Sequence, residues 1–199
     1  MNNQTIRKKV RARRNALSHE QRLEASIAVS DAIVNDPLFM RARNIALYLS
    51  NDGEIDISPV FQTAWQRGKR CYLPVLIPYG KKLSFAPYTP HSSMRNNQFG
   101  IPEPVVNKRE LLSAQQLNLV LTPLVAFDTH GNRIGMGGGY YDRTFAFLRR
   151  QQQFKKTKLC GIGFDFQQVN DIEEQHWDVP LLGVYTDKGF IKLGVKNKK

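Results

Sequence analysis

Cysteine is scarce in this chain, with only Cys71 and Cys160 among 199 residues, each inside an apolar stretch. Two isolated thiols of that kind do not make a disulfide framework and fit a reduced, buried state. No apolar run approaches the roughly 18 residues that a membrane span requires. The opening segment, Met1 to Arg14, is polar and basic and has no apolar stretch, so no secretory signal is expected and a cytoplasmic setting is. Histidine is also sparse. His19, His91, His130 and His176 lack metal-ligand spacing, and none is expected to be catalytic. There is no Gly-Lys-Ser/Thr string, which excludes a P-loop.

Acidic residues are in deficit. Seventeen Asp and Glu against 29 Lys and Arg leave a net charge of +12. That balance suits a polyanionic partner: a nucleic acid, a nucleoside triphosphate or a polyglutamylated ligand. Much of the charge is gathered at the ends, at Arg7, Lys8, Lys9, Arg11, Arg13 and Arg14, and at Lys192, Lys196, Lys198 and Lys199. The tail at 195–199 reads as a flexible, solvated end. Lys8, Lys9 and Arg11 read as a solvated helix face. The interleaved basic and aromatic motif of common RNA-binding sheets is missing, which disfavours the nucleic-acid reading.

Elements alternate along the chain. A basic helix is expected over Thr5–Ala16. A second starts at the capping box Ser18–Gln21 and stops near Asn35, before Pro37. Ile45–Leu49 reads as a short strand followed by the turn Asn51-Asp52-Gly53. Ser58-Pro59 opens a helix that Gly68 closes. Strands follow at Arg70–Leu76 and Leu83–Tyr88, then an irregular loop over Thr89–Val106 and a short helix over Lys108–Gln115. Leu117–Phe127 is the most apolar strand, and a helix is expected from Tyr140 to Gln151. Lys158–Phe164 and Gly183–Thr186 complete the strands. This order predicts one α/β domain over 1–199, three-layered α/β/α, with a largely parallel central sheet.

The segment Arg133-Ile134-Gly135-Met136-Gly137-Gly138-Gly139-Tyr140-Tyr141-Asp142-Arg143 carries the most chemical information. Four glycines in five positions sacrifice backbone entropy that plain scaffold would keep. The loop lies after the most apolar strand and before a helix, where bare N–H groups and a helix start can bind an anion. Arg133 adds a planar cation, a candidate stabiliser of developing charge. Asp142, in the first helical turn, is placed to hold Mg²⁺ beside phosphates. The alternative is a tight turn that merely lets strand and helix pack. A dinucleotide fingerprint fails, because its third glycine would fall on Tyr140.

This string closely resembles the signature loop of the 5-formyltetrahydrofolate cyclo-ligases, also called methenyltetrahydrofolate synthetases. The resemblance extends through Leu49-Ser50-Asn51-Asp52-Gly53-Glu54, Phe99-Gly100-Ile101-Pro102-Glu103-Pro104, Leu121–Asp128 and Trp177-Asp178-Val179-Pro180-Leu181, in the family's order. It implies ATP- and Mg²⁺-dependent cyclisation of 5-formyltetrahydrofolate to 5,10-methenyltetrahydrofolate, with release of ADP and phosphate. Transfer of phosphate to the formyl oxygen makes a leaving group, and N10 then attacks the formyl carbon. No side chain is implied as acid, base or nucleophile.

By the same resemblance Arg7, Arg133, Ile134, Gly135, Met136, Gly137, Gly138, Gly139, Tyr140 and Tyr141 contact ATP. Leu49, Glu54, Met136, Gly137, Gly138, Gly139 and Tyr140 face the folate, with or without a polyglutamate tail. Asp142 and Asp178 bind the metal. Many relatives carry lysine where this chain has Asn3, and some where it has Gly138, so Arg133, Arg143 or another cation is expected to compensate. A monomer is expected, with no membrane partner. The rival readings are a nucleic-acid-binding protein and another phosphotransferase or CoA-handling enzyme on a related fold.

Overall fold

The computed structural model describes residues 2–77, 80–150 and 156–194. The expected basic tail at 195–199 lies outside the described residues. In chain order the helices are α1 (Asn3–Asn15), α2 (His19–Val34), α3 (Pro37–Arg41), α4 (Ser58–Gln66), α5 (Tyr140–Phe145) and α6 (Phe147–Arg150). The strands are β1 (Asn44–Ala46), β2 (Arg70–Leu76), β3 (Leu83–Tyr88), β4 (Met94–Asn96), β5 (Pro102–Pro104), β6 (Leu119–Pro123), β7 (Ala126–Phe127), β8 (Arg133–Ile134), β9 (Lys158–Ile162), β10 (Gly183–Thr186) and β11 (Gly189–Lys192).

Seven strands form one sheet in the order β11-β10-β9-β6-β1-β2-β3. The pairs β10–β9, β9–β6, β6–β1 and β1–β2 are parallel, whereas β11 and β3 close the two edges antiparallel. Period-two alternation decides which side chain faces which layer. In β6, Leu119 and Leu121 join a core with α2 and α4 through Val29, Ile33, Val60 and Ala64. Val120 faces the opposite way, towards Phe145 of α5 and Leu148 of α6. The result is the three-layer α/β/α arrangement that the alternation of elements predicts.

Several boundaries differ from the sequence reading, each for a local reason. The apolar run Leu117–Phe127 is divided. β6 ends at Pro123, and Ala126–Phe127 pairs instead with Arg133–Ile134 as an antiparallel hairpin. Proline has no N–H to offer a continuing ladder. The expected helix over Lys108–Gln115 is two 3₁₀ turns, Lys108–Glu110 and Ala114–Gln116, because Leu112 between them exchanges backbone hydrogen bonds with Phe85. The loop over Thr89–Val106 contains the hairpin β4–β5. The helix expected from Tyr140 breaks at Ala146, and Gln151 lies outside the described residues. β1 is shorter than expected: Leu47 N still donates to Tyr72 O, and the chain then runs out of the sheet towards Asn51. α3 and β11 had no strong periodic signal and were not expected.

The hairpin β7–β8 forms a small third core with α1, through Val125, Ala126, Ile134, Ile6 and Val10. α1 begins at Asn2, whose side chain accepts from Thr5 N at 2.8 Å. Ile6, Val10 and Arg14 recur every four residues, so the buried stripe of α1 ends on an arginine.

Cys71 and Cys160 are free and buried. Burial pushes both thiols up to about 12. Neither thiol of the native protein is therefore expected to react with an aromatic disulfide reagent at pH 8, and both should react once denaturant is added. Rapid labelling of either thiol in the folded protein would contradict this packing.

Candidate active site

Two segments leave the sheet at the carboxyl ends of the neighbouring parallel strands β1 and β6. Such ends are where open α/β sheets bind ligands. The segment after β1 runs through Leu49 to the turn Asn51–Glu54. The segment after β6 runs through the β7–β8 hairpin into the glycine loop and α5.

The glycine loop is bare. Gly135, Met136, Gly137 and Gly138 are exposed. Gly137 and Gly139 have φ of +94° and +62°, a region other residues enter only with strain. Gly139 is the residue from which α5 starts. Two arginines hold the loop by its carbonyls. Arg7 Nε donates to Gly135 O at 2.9 Å. Arg143 donates to Gly138 O and, through Nε, to Lys81 O at 2.7 Å, with its guanidinium 5.3 Å above the Tyr140 ring.

Arg133 sits differently from the sequence expectation of an open cation at the loop entrance. Its side chain is only 7% exposed, Nη2 lies 2.5 Å from Asp142 Oδ1, and Nη1 donates to Val179 O. It thus ties the start of the loop to the first turn of α5 and to the segment that carries Asp178. Val179 N also donates to Asp142 Oδ1. Asp178 accepts from Gln175 N at 2.9 Å. Burial first, and the nearby Asp142 charge, raise the Asp178 carboxyl above its ordinary range. The two expected metal ligands are thus brought together. Hard carboxylate oxygens in mutual repulsion fit a divalent cation, whose remaining positions would fall to phosphate oxygens and water.

Asp128, which the sequence reading left without a role, organises the hairpin. It is fully buried, and it accepts from His130 N, Asn132 N, Asn132 Nδ2 and Ile172 N. Ligand atoms of Asp128, His130 and Asp171 lie within 4.8 Å of one another, a grouping that histidine spacing did not reveal. Both oxygens of Asp128 are already engaged by those four donors, which makes it a turn-former.

In the segment after β1, Glu54 is partly buried, and Asn51 N donates to its Oε2 at 3.1 Å. Burial pushes Glu54 up to about 7, against the pull of the Asn51 hydrogen bond and of Arg14, while Asp52 pushes it further up. Tyr141 of α5 feels the Glu54 charge, and burial raises its phenol to about 12. Leu49 is half-buried against the core of the α2 face. Met136 and Trp177 are exposed, and Phe99 meets Tyr140 edge-on with centroids 6.4 Å apart.

The arginines of α1 depart most from the sequence reading. Arg11 is not part of a free solvated face: Nε and Nη2 grip Asp52 at 2.8 and 3.1 Å. Arg14 Nη2 reaches the same carboxylate at 2.6 Å from a side chain 1% exposed. Lys8 and Lys9 are exposed, as expected. The signal available in sequence was the four-residue spacing of Ile6, Val10 and Arg14.

A raised carboxyl has a defined effect on stability. Between about pH 4.5 and 7 the folded protein binds a proton on Glu54 that the unfolded chain has released. Stability from this group therefore falls as pH rises through that window, and its full cost is present above pH 7. Glu54→Gln removes that cost. The ligand-free variant is expected to be more stable than the parent at pH 8, by about 1–3 kcal/mol, and to gain little at pH 4.5. Thermal unfolding at the two pH values measures the difference; equal gains at both would contradict it.

A sequence model of the 5-formyltetrahydrofolate cyclo-ligase family matches residues 1–187. The chain is 42% identical over 182 residues to the 5-formyltetrahydrofolate cyclo-ligase of Haemophilus influenzae, spanning 91% of this chain and 95% of that one. It is 40% identical over 178 residues to the Escherichia coli K12 protein of the same name, spanning 89% and 96%. Its fold is similar to the NMR structure of Aquifex aeolicus 5,10-methenyltetrahydrofolate synthetase, with a TM-score of 0.80 at 30% identity, covering 100% of this chain and 95% of that one.

Proposed function

The chain belongs to the 5-formyltetrahydrofolate cyclo-ligase family, and on that premise we propose how its cleft divides the work of closing 5-formyltetrahydrofolate to 5,10-methenyltetrahydrofolate with ATP. One observation carries the reading. A bare glycine loop leads into Tyr141, which feels the Glu54 charge, and the segments that carry the loop and Glu54 leave the sheet at the ends of adjacent parallel strands. The loop side takes the triphosphate and the Glu54 side takes the folate.

On the loop side, the exposed backbone of Gly135 to Gly139 accommodates phosphate oxygens. Arg7 and Arg143 place positive charge at its two ends. Arg143 therefore supplies a cation near the position where some relatives carry lysine in place of Gly138. Arg133 acts at one remove, by holding Asp142 and the Val179 carbonyl in register. Asp142 and Asp178 would hold Mg²⁺, which would neutralise phosphate charge. On the folate side, Glu54 accepts hydrogen bonds from the amino and ring N–H groups of the pterin, a paired geometry suited to a carboxylate. Leu49, Met136 and Tyr140 offer apolar and aromatic surface to the ring system.

The chain itself contributes position and charge. The formyl oxygen is held in line with the terminal phosphate, and N10 is held against the formyl carbon. A polyglutamate tail on the substrate would find a basic surface at α1, through the exposed Lys8 and Lys9.

Formation of methenyltetrahydrofolate, followed by its absorbance, tests the assignment: it should require both ATP and 5-formyltetrahydrofolate. Asp142→Asn keeps an acceptor for Arg133 and is expected to stay folded while losing roughly 100-fold or more of kcat. Asp142→Ala should in addition lose about 2–4 kcal/mol of stability, because Arg133 is left buried and unpaired. Unchanged turnover of Asp142→Asn at saturating Mg²⁺ would remove this acid from the mechanism. Glu54→Gln should raise KM for the folate at least tenfold more than KM for ATP; the reverse ordering would exchange the two halves of the cleft.

A further inference from the structure

The turn that delivers Glu54 has an unusual construction. Asp52 has φ of +51°, and among the described residues no other non-glycine residue has positive φ. Gly53 follows at +73°, and a Cβ there would meet Asn15 Oδ1 at 2.7 Å. The turn is therefore pressed against the end of α1 in a conformation that needs external support. The support is electrostatic. Arg11 grips the Asp52 carboxylate with two donors, and Arg14 adds a third from a buried side chain whose Nε has no hydrogen-bond partner among the described residues. Within the turn, Glu54 N donates to Asn51 O at 3.0 Å, and Asn51 N donates back to the Glu54 carboxylate. Fixing Asp52 thus fixes the direction of Glu54.

The two arginines are not equivalent. Arg11 is 40% exposed and pairs with Asp52. Arg14 is buried, and its charge acts on both Asp52 and Glu54. The other charged or titratable groups facing Glu54 are Asp52 within the turn, Tyr48 after β1 and Tyr141 of α5. Asp56 acts on Tyr48, and Arg133 on Tyr141.

We propose that Arg14 and Asp52 form a positioning pair for the folate-binding acid: Asp52, clamped to α1, aims Glu54 into the cleft, and the buried guanidinium of Arg14 balances the charge of the two carboxylates. This rests on the reading of Glu54 as the acid that recognises the pterin. The pair touches neither substrate. It has two separable parts, a backbone part carried by the clamp and a charge part carried by the field at Glu54.

The charge part gives a signature that loss of structure does not. The Glu54 carboxyl is needed ionised to accept from the pterin, so kcat/KM for the folate should rise with pH through its ionisation. Removing the negative charge of Asp52 favours the ionised form of Glu54, and removing the positive charge of Arg14 disfavours it. Asn tolerates positive φ and its Oδ1 can still accept from the arginines, so Asp52→Asn keeps an acceptor for the clamp while removing the charge. The experiment is the pH profile of kcat/KM for 5-formyltetrahydrofolate at saturating ATP and Mg²⁺.

Asp52→Asn is expected to move the acid limb to lower pH and Arg14→Gln to higher pH, each by roughly 0.5–1.5 units. Arg14→Lys should return the limb close to the parent position, and Arg11→Met should leave it nearly unmoved. Limbs that stay in place, or that move in the same direction in both variants, would overturn the proposal. If Arg14→Gln does not fold, Asp52→Asn and Arg14→Lys decide it alone, since the first must shift the limb and the second must not. Glu54→Gln separates the two levels. Should it retain the parent's acid limb, the substrate reading of Glu54 fails. Should it abolish the limb while Asp52→Asn leaves it unshifted, only the positioning pair fails.

Discussion

The ion pair between Arg133 and Asp142 is the constraint on which the cleft depends. One partner stands just before the glycine loop and the other just after it, so a single buried contact fixes both ends of a segment that has no side chains to fix itself. The same guanidinium reaches the Val179 carbonyl, which draws in the irregular segment carrying Asp178. A loop that must present naked backbone to a ligand cannot be held by packing. Here its flanks are held by that ion pair and its Gly135 and Gly138 carbonyls by Arg7 and Arg143, while Gly135 to Gly138 stay exposed. Asp128 performs the equivalent task one turn earlier, where four donors converge on a carboxylate with no solvent exposure.

The net charge of the chain takes on a different meaning in this light. Arg7, Arg11 and Arg14 lie at positions i, i+4 and i+7 of α1, along one side of the helix. The first holds the glycine loop, and the other two hold the turn before Glu54. Part of the excess of +12 is therefore internal structure, distributed across the two halves of one cleft. The nucleic-acid reading drew on these same residues, and three of its cations are already engaged.

Much of this was legible in the sequence, for identifiable reasons. The alternation of apolar strands with helices, one of them opened by the capping box at Ser18, gave the layered fold. The crowding of glycines before Tyr140 gave the loop, since only a backbone requirement explains it. Strand ends were harder to read. Leu117–Phe127 is apolar apart from Asn118, Thr122 and Pro123, and although Pro123 signals the end of a ladder, nothing in the pattern shows that Ala126 starts another. Arg11 reads as part of a solvated face because the expected helix Thr5–Ala16 has eight basic or polar positions. Arg14 is buried by its place on the Ile6–Val10 stripe, and its partner lies 38 residues away. Arg133 looked like an open cation because its partners, Asp142 and Val179, come together only through the fold.

The bridge made by α1 also orders events as the chain is made. Its arginines are synthesised well before anything they hold. Asp52 follows Arg14 by 38 residues, but Gly135 follows Arg7 by 128. The emerging polypeptide thus carries a cationic helix that can dock its rear half early and its front half only when most of the protein has left the ribosome. Cleft assembly is in this sense a late event anchored by the first helix, and contacts of such long sequence separation are the slow ones to form.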